Sequence, residues 1–498
     1  MSENSLDNEE FDVVILGTGL IESIIASDIA AADRKVLHID RNPYYGGNFA
    51  CFSLSSFFQW AVQYRDVRQT PRVEVILGDA SQQSSSTLVI DRALSSIDVP
   101  CNSASLLLQA LGPYSTGGQD FDSERCKALL ERLLANDRKY SIELAPKLSL
   151  CRGDMIDLLV DLGIGEYVQF KGLEHNYLVR NGVLERVPDS KEDIFASKSL
   201  SLIEKRKLMR LMTVISDDDE CDKLLDEATQ DSSDFVSFIQ TKFKLDGKLL
   251  DAVVYAVARV GAGEIPSARD GCESVRKYVR SMGRYGRMAY LCAMYGGGSE
   301  MAQAFCRLCA VSGGTYILGE DVEVSGGKDG GFNVRLQNHG TVRAKSVIMA
   351  SSYANASAAT NDSLVISRAF CILDQPVLGD DTSALLSYIG KDGEQTVSLL
   401  YLTQATMATP LGHGILYAWA PGQMADRKEQ LNEAMKAVIH GSASGATPLL
   451  TAFFEMRELA VGRESAIVTG LPDATVDFDS TVKDARRILS GYFSGQQN

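Results

Sequence analysis

Several absences narrow the chain before any motif is read. Among 498 residues no apolar run approaches the roughly eighteen that a membrane-crossing helix needs, so no spanning segment is expected. Basic residues are in deficit, 49 Lys and Arg against 65 Asp and Glu, leaving a net charge of −16. A nucleic-acid binder needs basic surface to neutralise phosphates, and constitutive attachment to an anionic membrane needs the same sign of charge, so the balance argues against both. The five histidines (His38, His175, His339, His413, His440) stand far apart and form no ligand cluster. Cysteine offers one C-x-x-C pair, Cys306 and Cys309, with no second pair to complete a metal tetrad. The opening residues MSENSLDNEEFD are acidic and polar, unlike a secretory signal or transit peptide, and SGYFSGQQN at the other end carries no prenylation box. Reduced thiols and a soluble, cytoplasmic protein are the expectation. No Ser-His-Asp or paired-carboxylate pattern appears.

What is present is organised around Phe11 to Asn48. FDVVIL (Phe11 to Leu16) reads as a buried strand, Gly17-Thr18-Gly19 turns it into an apolar helix pattern from Leu20, and a second apolar run from Lys35 to Ile39 ends in Asp40. An acid about twenty residues past a glycine turn is where a dinucleotide-binding βαβ unit holds a ribose. The fingerprint breaks at Glu22. A small residue is needed there because helix and strand touch, and a carboxylate on the first helical turn would repel a pyrophosphate. The reading is a dinucleotide fold whose nucleotide site (Gly17, Gly19, Glu22, Asp40) is degenerate and binds no cofactor. A flavoenzyme that tolerates Glu22 is the alternative.

Further along, helices are expected at Phe57 to Val62, Asn102 to Leu111 and Ser123 to Leu134, with surface loops at Ser81 to Ser86 and Pro113 to Gly118. Asn181-Gly182 marks a hairpin. From Asp189 to about Met282 the strand signal vanishes and helical periodicity takes over, which predicts an all-α domain inserted into an α/β one. Within it, Leu202, Ile203, Leu208, Leu211, Met212 and Ile215 form a broad apolar stripe. Met209, Met212 and Met282 are adaptable wall candidates and equally ordinary core. Ser299 is an expected N-cap and Gly313-Gly314 a stop for a helix that places Glu300 and Arg307 on one face. The run Val347 to Ala350 leads into Ser351-Ser352-Tyr353 where a flavoenzyme carries a glycine against its cofactor.

The words GTGLIESIIA (Gly17 to Ala26), LHIDRNPYYGGN (Leu37 to Asn48) and ACFSL (Ala50 to Leu54) resemble the first signature block of the Rab escort protein and Rab GDP-dissociation inhibitor superfamily. LAPKLSLCRGDMIDLL (Leu144 to Leu159) and GRYGRMAYLCAMYGGGSEMAQAFCRLCAVSGGTYIL (Gly283 to Leu318) resemble its later blocks, and SKSLSLIEKRKLMRLM (Ser197 to Met212) is nearer the escort wording. The resemblance spans nearly the whole chain, and is strongest at residues 11–54, 140–212 and 281–318.

The resemblance implies a flavin-monooxygenase-type, FAD/NAD(P)-binding-like domain without cofactor (residues 1–187 and 283–498, with an insertion at about 60–135) and a helical domain (188–282). It implies a non-catalytic escort that binds GDP-loaded Rab, presents it to Rab geranylgeranyl transferase, shields the geranylgeranyl lipid and touches membranes transiently. The alternatives are a Rab GDP-dissociation inhibitor and an FAD-dependent oxidase. Carried over by motif, Tyr45, Glu300, Arg307, Thr315 and Ile317 form the Rab-binding platform, and Arg284 and Tyr290 are part of the loop that follows the GTPase effector region. The family's transferase-contacting aromatic is missing from Arg210 to Val214, which leaves an aliphatic such as Val214 or a shifted alignment. A helical domain suits lipid carriage. Each buried CH₂ is worth about 0.8 kcal/mol, so a C20 prenyl chain represents on the order of ten kcal/mol or more of exposed apolar surface. Helices that slide apart can open a groove for it, because their contacts are non-directional.

Overall fold

The computed structural model describes residues 6–62, 72–78, 86–91, 124–188, 190–198, 200–229, 234–261, 264–327, 330–354, 364–379, 382–390, 393, 396–458 and 466–495. The expected helix at Asn102 to Leu111 and the loop at Pro113 to Gly118 lie outside these residues, as does nearly all of Ser81 to Ser86.

The opening stretch folds as strand β1 (Glu10–Leu16), helix α1 (Leu20–Ala31) and strand β2 (Val36–Asp40). β1 and β2 pair in parallel with Val13 opposite Val36 and Ile15 opposite His38. Parallel strands with helices above are covered on both faces, which is why β2 is buried at every residue. The sheet runs Thr315–Leu318, β2, β1, Gly340–Ala350, Phe332–Leu336, Val322–Gly326, and Ile467–Thr469 lies parallel to the end of Gly340–Ala350. Val322–Gly326, Phe332–Leu336 and Gly340–Ala350 pair as an antiparallel meander, and Ile467–Thr469 returns late in the chain to the same sheet.

A second sheet of nine strands runs from Val183–Val187 to Ser86–Asp91, backed by the helix Met424–Gly441. Asn181 and Gly182 both have positive φ (52° and 74°), the turn that a two-residue hairpin requires. Two of its strands, Ala384–Ile389 and Pro448–Arg457, carry no clear alternation in sequence, because both are buried along nearly their whole length. Arg72–Leu77 and Ser86–Asp91, inside the stretch read as an insertion, extend this sheet at one edge.

Between Lys191 and Ser281 the regular elements among the described residues are helices: Lys191–Ala196, Leu202–Ser216, Asp218–Thr229, Phe235–Phe243, Gly247–Asp251 running into a π-helix at Ala252–Val257, and Ala268–Ser281. They share a core of their own built on Phe235, Phe238, Ile239, Ile215 and Cys272. Gly271 lets the last helix press on Phe235, since a Cβ there would lie 2.1 Å from the ring. The π-helix is tied to the second sheet by Asn176 Nδ2, which donates to the Ala256 carbonyl at 2.8 Å, and Ser387 Oγ, which donates to the Tyr255 carbonyl at 2.7 Å. Of the Leu202–Ser216 stripe, Leu208, Leu211, Met212 and Ile215 are core, whereas Leu202 and Ile203 are exposed. Val214 is 4% exposed, so it faces the helical core and offers nothing to a partner.

Candidate functional site

Two regions concentrate the sequence-derived candidates, the cleft at the glycine turn and the surface beside it. In the cleft, Gly17 takes φ +101°, and its missing side chain admits Ala350, whose Cβ would be 2.9 Å from an added Cβ. Asp40 is spent internally. Its Oδ2 accepts from the Thr18 backbone N–H and the Thr18 hydroxyl, both at 2.7 Å, and its Oδ1 accepts from the Asn42 N–H at 2.8 Å and the Tyr353 hydroxyl at 3.3 Å. Tyr353 also accepts from the Arg41 N–H at 2.6 Å and lies under the Arg41 guanidinium, 3.8 Å from the ring centroid.

Glu22 does not point outward toward a ligand. It is buried, folds back so that a Cβ on Gly19 would meet its Oε2 at 2.3 Å, and accepts a hydrogen bond from the Thr469 hydroxyl. Burial pushes its carboxyl up to about 7. What remains open between Gly17, Gly19, Glu22, Asp40 and Tyr353 is a cavity of about 30 Å³. That is room for a water or two. A dinucleotide does not fit these residues: the ribose acid is occupied, an aromatic ring lies against Gly17, and a carboxyl group lies on Gly19.

The surface lies next to the cleft. Gly19 and Gly46 form an isolated parallel bridge, and the Gly46 N–H donates to the Thr18 carbonyl at 3.0 Å, which sets Tyr45 beside the turn. Tyr45 is half-buried, with its ring 6.4 Å from that of Tyr316. Tyr316 is flanked by exposed Thr315 and half-buried Ile317 on the strand that ends the first sheet. Its hydroxyl donates to His38 Nδ1 at 3.0 Å, and His38 Nε2 donates to the Gly17 carbonyl at 2.5 Å, with the tautomer set by those partners. Burial holds His38 down at about 4, so it is neutral at physiological pH.

The helix Gly297–Val311 runs directly into this strand and carries half-buried Glu300 and exposed Arg307. Arg307 lies over the ring of Tyr167, 4.3 Å from its centroid, and Tyr167 is itself 44% exposed. The N-cap is Gly296, not Ser299: Gly296 and Gly297 have positive φ, and Cβ atoms there would meet Cys51 Sγ at 2.4 Å and Glu143 Oε2 at 2.0 Å. Close approach, not side-chain capping, starts this helix. Cys306 and Cys309 are buried, and Cys306 Sγ lies 3.3 Å from Ser23 Oγ, consistent with core thiols. Among the described residues no group of three or more His, Cys, Asp or Glu is placed to hold a metal ion.

Tyr45, Glu300, Arg307, Thr315 and Ile317 thus come from adjoining elements. Arg284 and Tyr290 do not join them. Arg284 donates to Asp157 at 2.6 Å and to the Cys151 carbonyl at 2.7 Å, and that bond to Asp157 raises its pKa. Tyr290 is 4% exposed, in the strand Tyr290–Ala293 and packed on Tyr278, so as a contact residue it is corrected to core. Tyr316, His38, Tyr353 and Thr469 were not legible as site residues. Tyr353 was marked only by standing in the Ser351-Ser352-Tyr353 run where a flavoenzyme carries a glycine.

The model of the family described as GDP dissociation inhibitor matches residues 7–75 and 74–495. The chain is 26% identical over 497 residues to "Rab proteins geranylgeranyltransferase component A" of Drosophila melanogaster, covering 97% of this chain and 89% of that one. It is 25% identical to "Rab GDP dissociation inhibitor beta" of Canis lupus familiaris over 494 residues, 97% of this chain and 94% of that one. Among solved structures, a Rab GDI from Plasmodium falciparum superposes with a TM-score of 0.68 at 18% identity, covering 98% of this chain and 99% of the other, a likeness of fold.

Proposed function

The chain belongs to the GDP dissociation inhibitor family, and from that premise we propose that it is a non-catalytic Rab escort protein. It binds Rab GTPases in the GDP form, presents them to Rab geranylgeranyl transferase, shields the attached geranylgeranyl lipid and carries the product from the cytoplasm to membranes. The observation that carries the reading is a cleft too small for a dinucleotide beside a surface that carries Tyr45, Arg307 and Thr315. With about 30 Å³ left at the glycine turn there is no room for a dinucleotide, while Arg307 and Thr315 are exposed and Tyr45 is half-buried.

In this reading the platform is Tyr45, Glu300, Arg307, Thr315 and Ile317. A half-buried aromatic, an exposed Arg on a ring and the edge strand of a sheet are the parts from which protein contacts are built. Residues 188–282 act as a separate lipid- and transferase-binding domain, on the strength of their independent core. Met209 and Met282, half-buried at its margin, and buried Met212 supply adaptable walls for an apolar chain.

Escort and inhibitor divide at the transferase. A reconstituted reaction with GDP-loaded, unmodified Rab and the transferase is expected to transfer lipid only when this chain is added. Transfer no greater than with transferase alone, alongside intact Rab binding, would leave an inhibitor.

A further inference from the structure

The start of the Leu202–Ser216 helix presents a surface that the fold does not need. Ser201 and Glu204 close a capping box, each side chain bonded to the other's backbone N–H, and this fixes Leu202 and Ile203 in the first helical turn. There they are 77% and 68% exposed. Phe195, at the end of the preceding helix, is 64% exposed, and its carbonyl accepts from Lys205 Nζ at 2.7 Å, which holds it at the same end of the helix.

Charge sets the patch apart as well. In a chain with 65 acids and 49 bases, residues 198–210 hold Lys198, Lys205, Arg206, Lys207 and Arg210 against Glu204 alone. Glu204 is directed onto the helix terminus, and Lys207 pairs with Asp246 at 3.5 Å. Lys198, Arg206 and Arg210 remain as exposed basic side chains in this segment, with Arg206 one turn from Leu202 and Arg210 two turns away, its guanidinium 5.9 Å from the Phe243 ring centroid.

We propose that Phe195, Leu202 and Ile203, together with the exposed Lys198, Arg206 and Arg210 of the same segment, are a contact for an anionic membrane surface. Lysine is depleted at protein interfaces. A segment that lies at a lipid boundary combines the two kinds of residue found here, Phe and Leu entering the acyl region and Lys and Arg meeting anionic headgroups. The net charge of −16 repels the rest of the molecule from the same leaflet, so the contact is confined to this face, weak and salt-sensitive. Such reversibility suits a carrier that must leave again. That purpose rests on the escort reading; the contact itself does not.

The test is flotation of the full chain, without Rab, on phosphatidylcholine vesicles with and without phosphatidylserine, at low and high salt. Binding is expected only with phosphatidylserine and only at low salt, falling roughly five-fold for each charge removed in Arg206→Gln and Arg210→Gln. The triple change Phe195→Ser, Leu202→Ser and Ile203→Ser is expected to abolish it with an unchanged melting curve, because all three side chains are exposed. Equal binding by the triple variant, or no preference of the natural chain for phosphatidylserine, overturns the proposal. So does a triple variant that still floats but no longer binds the prenyltransferase, which would make the patch a protein dock. Flotation by a preparation that ignores GDP-bound Rab would support the membrane contact and sink the escort reading instead.

Discussion

Glu22, in the first turn of α1, and Thr469, at the end of the strand Ile467–Thr469, lie 447 residues apart in sequence and share a hydrogen bond in which the threonine hydroxyl donates. A residue that breaks a nucleotide fingerprint has become an internal tie between the first helix and the last strand of the sheet. Its carboxyl, Asp40 and Tyr353 together fill the space at the glycine turn.

Glu22→Gln should stabilise the protein at alkaline pH. Burial raises the Glu22 pKa from 4.5 to about 7, so the folded state holds this proton more tightly than the unfolded state does. The stability is therefore fully present below the unfolded value and is lost as pH rises through about 7. Glutamine keeps the acceptor for Thr469 and removes the charge. The gain should approach about 3 kcal/mol at pH 8 and vanish near pH 4, as read from denaturant midpoints across that range. A gain independent of pH would mean that the side chain is not ionising where it sits.

Incubation with FAD should leave the protein colourless after gel filtration, and Glu22→Gly should not change that. Removing one carboxyl leaves Asp40 saturated by Thr18, Asn42 and Tyr353. Flavin retained in stoichiometric amount by either protein would overturn the fit argued from the cleft.

Arg307→Ala and Tyr45→Ala should each weaken binding to GDP-loaded Rab by about ten-fold or more, the loss expected for a central aromatic or Arg contact. Tyr290→Ala should act differently. With its ring buried against Tyr278, it should lower the melting temperature, and Rab affinity should fall only where folding does. Calorimetric titration beside thermal unfolding separates the two patterns, and unchanged affinity in both platform variants removes the assignment.

Gly271→Ala should destabilise the helical segment although helix propensity favours it. Alanine gains about 1 kcal/mol over glycine in a helix interior. Here its Cβ would lie 2.1 Å from the Phe235 ring, and forcing a packed core apart costs about 1–3 kcal/mol or more. Thermal unfolding should show a net loss, and a rise in melting temperature would mean that Phe235 moves aside freely.

Much of this was readable in one dimension. The βαβ unit was marked by two apolar runs about a glycine turn, and α1 begins at Leu20 as its pattern requires. The change to helices after Val187-Pro188 was equally plain, because period-2 alternation stops there. Strands such as Pro448–Arg457 escaped, since a strand buried on both faces loses the alternation that identifies it. The start of Gly297–Val311 was misplaced for a different reason. Ser299 has the chemistry of a cap, but the positive φ of Gly296 and Gly297 and their contacts with Cys51 and Glu143 decide where the helix begins.

By itself the sequence determined the order of the elements, the helical character of residues 191–281 and the broken fingerprint at Glu22, because these follow from local periodicity and residue chemistry. Tertiary structure alone decided that Glu22 turns inward to Thr469, that Tyr290 is core while Tyr45 stays at the surface, and that Leu202 and Ile203 are left in water. Those outcomes depend on which distant side chains arrive within a few ångströms, and burial and hydrogen bonding between residues hundreds of positions apart leave no mark on the pattern of either one.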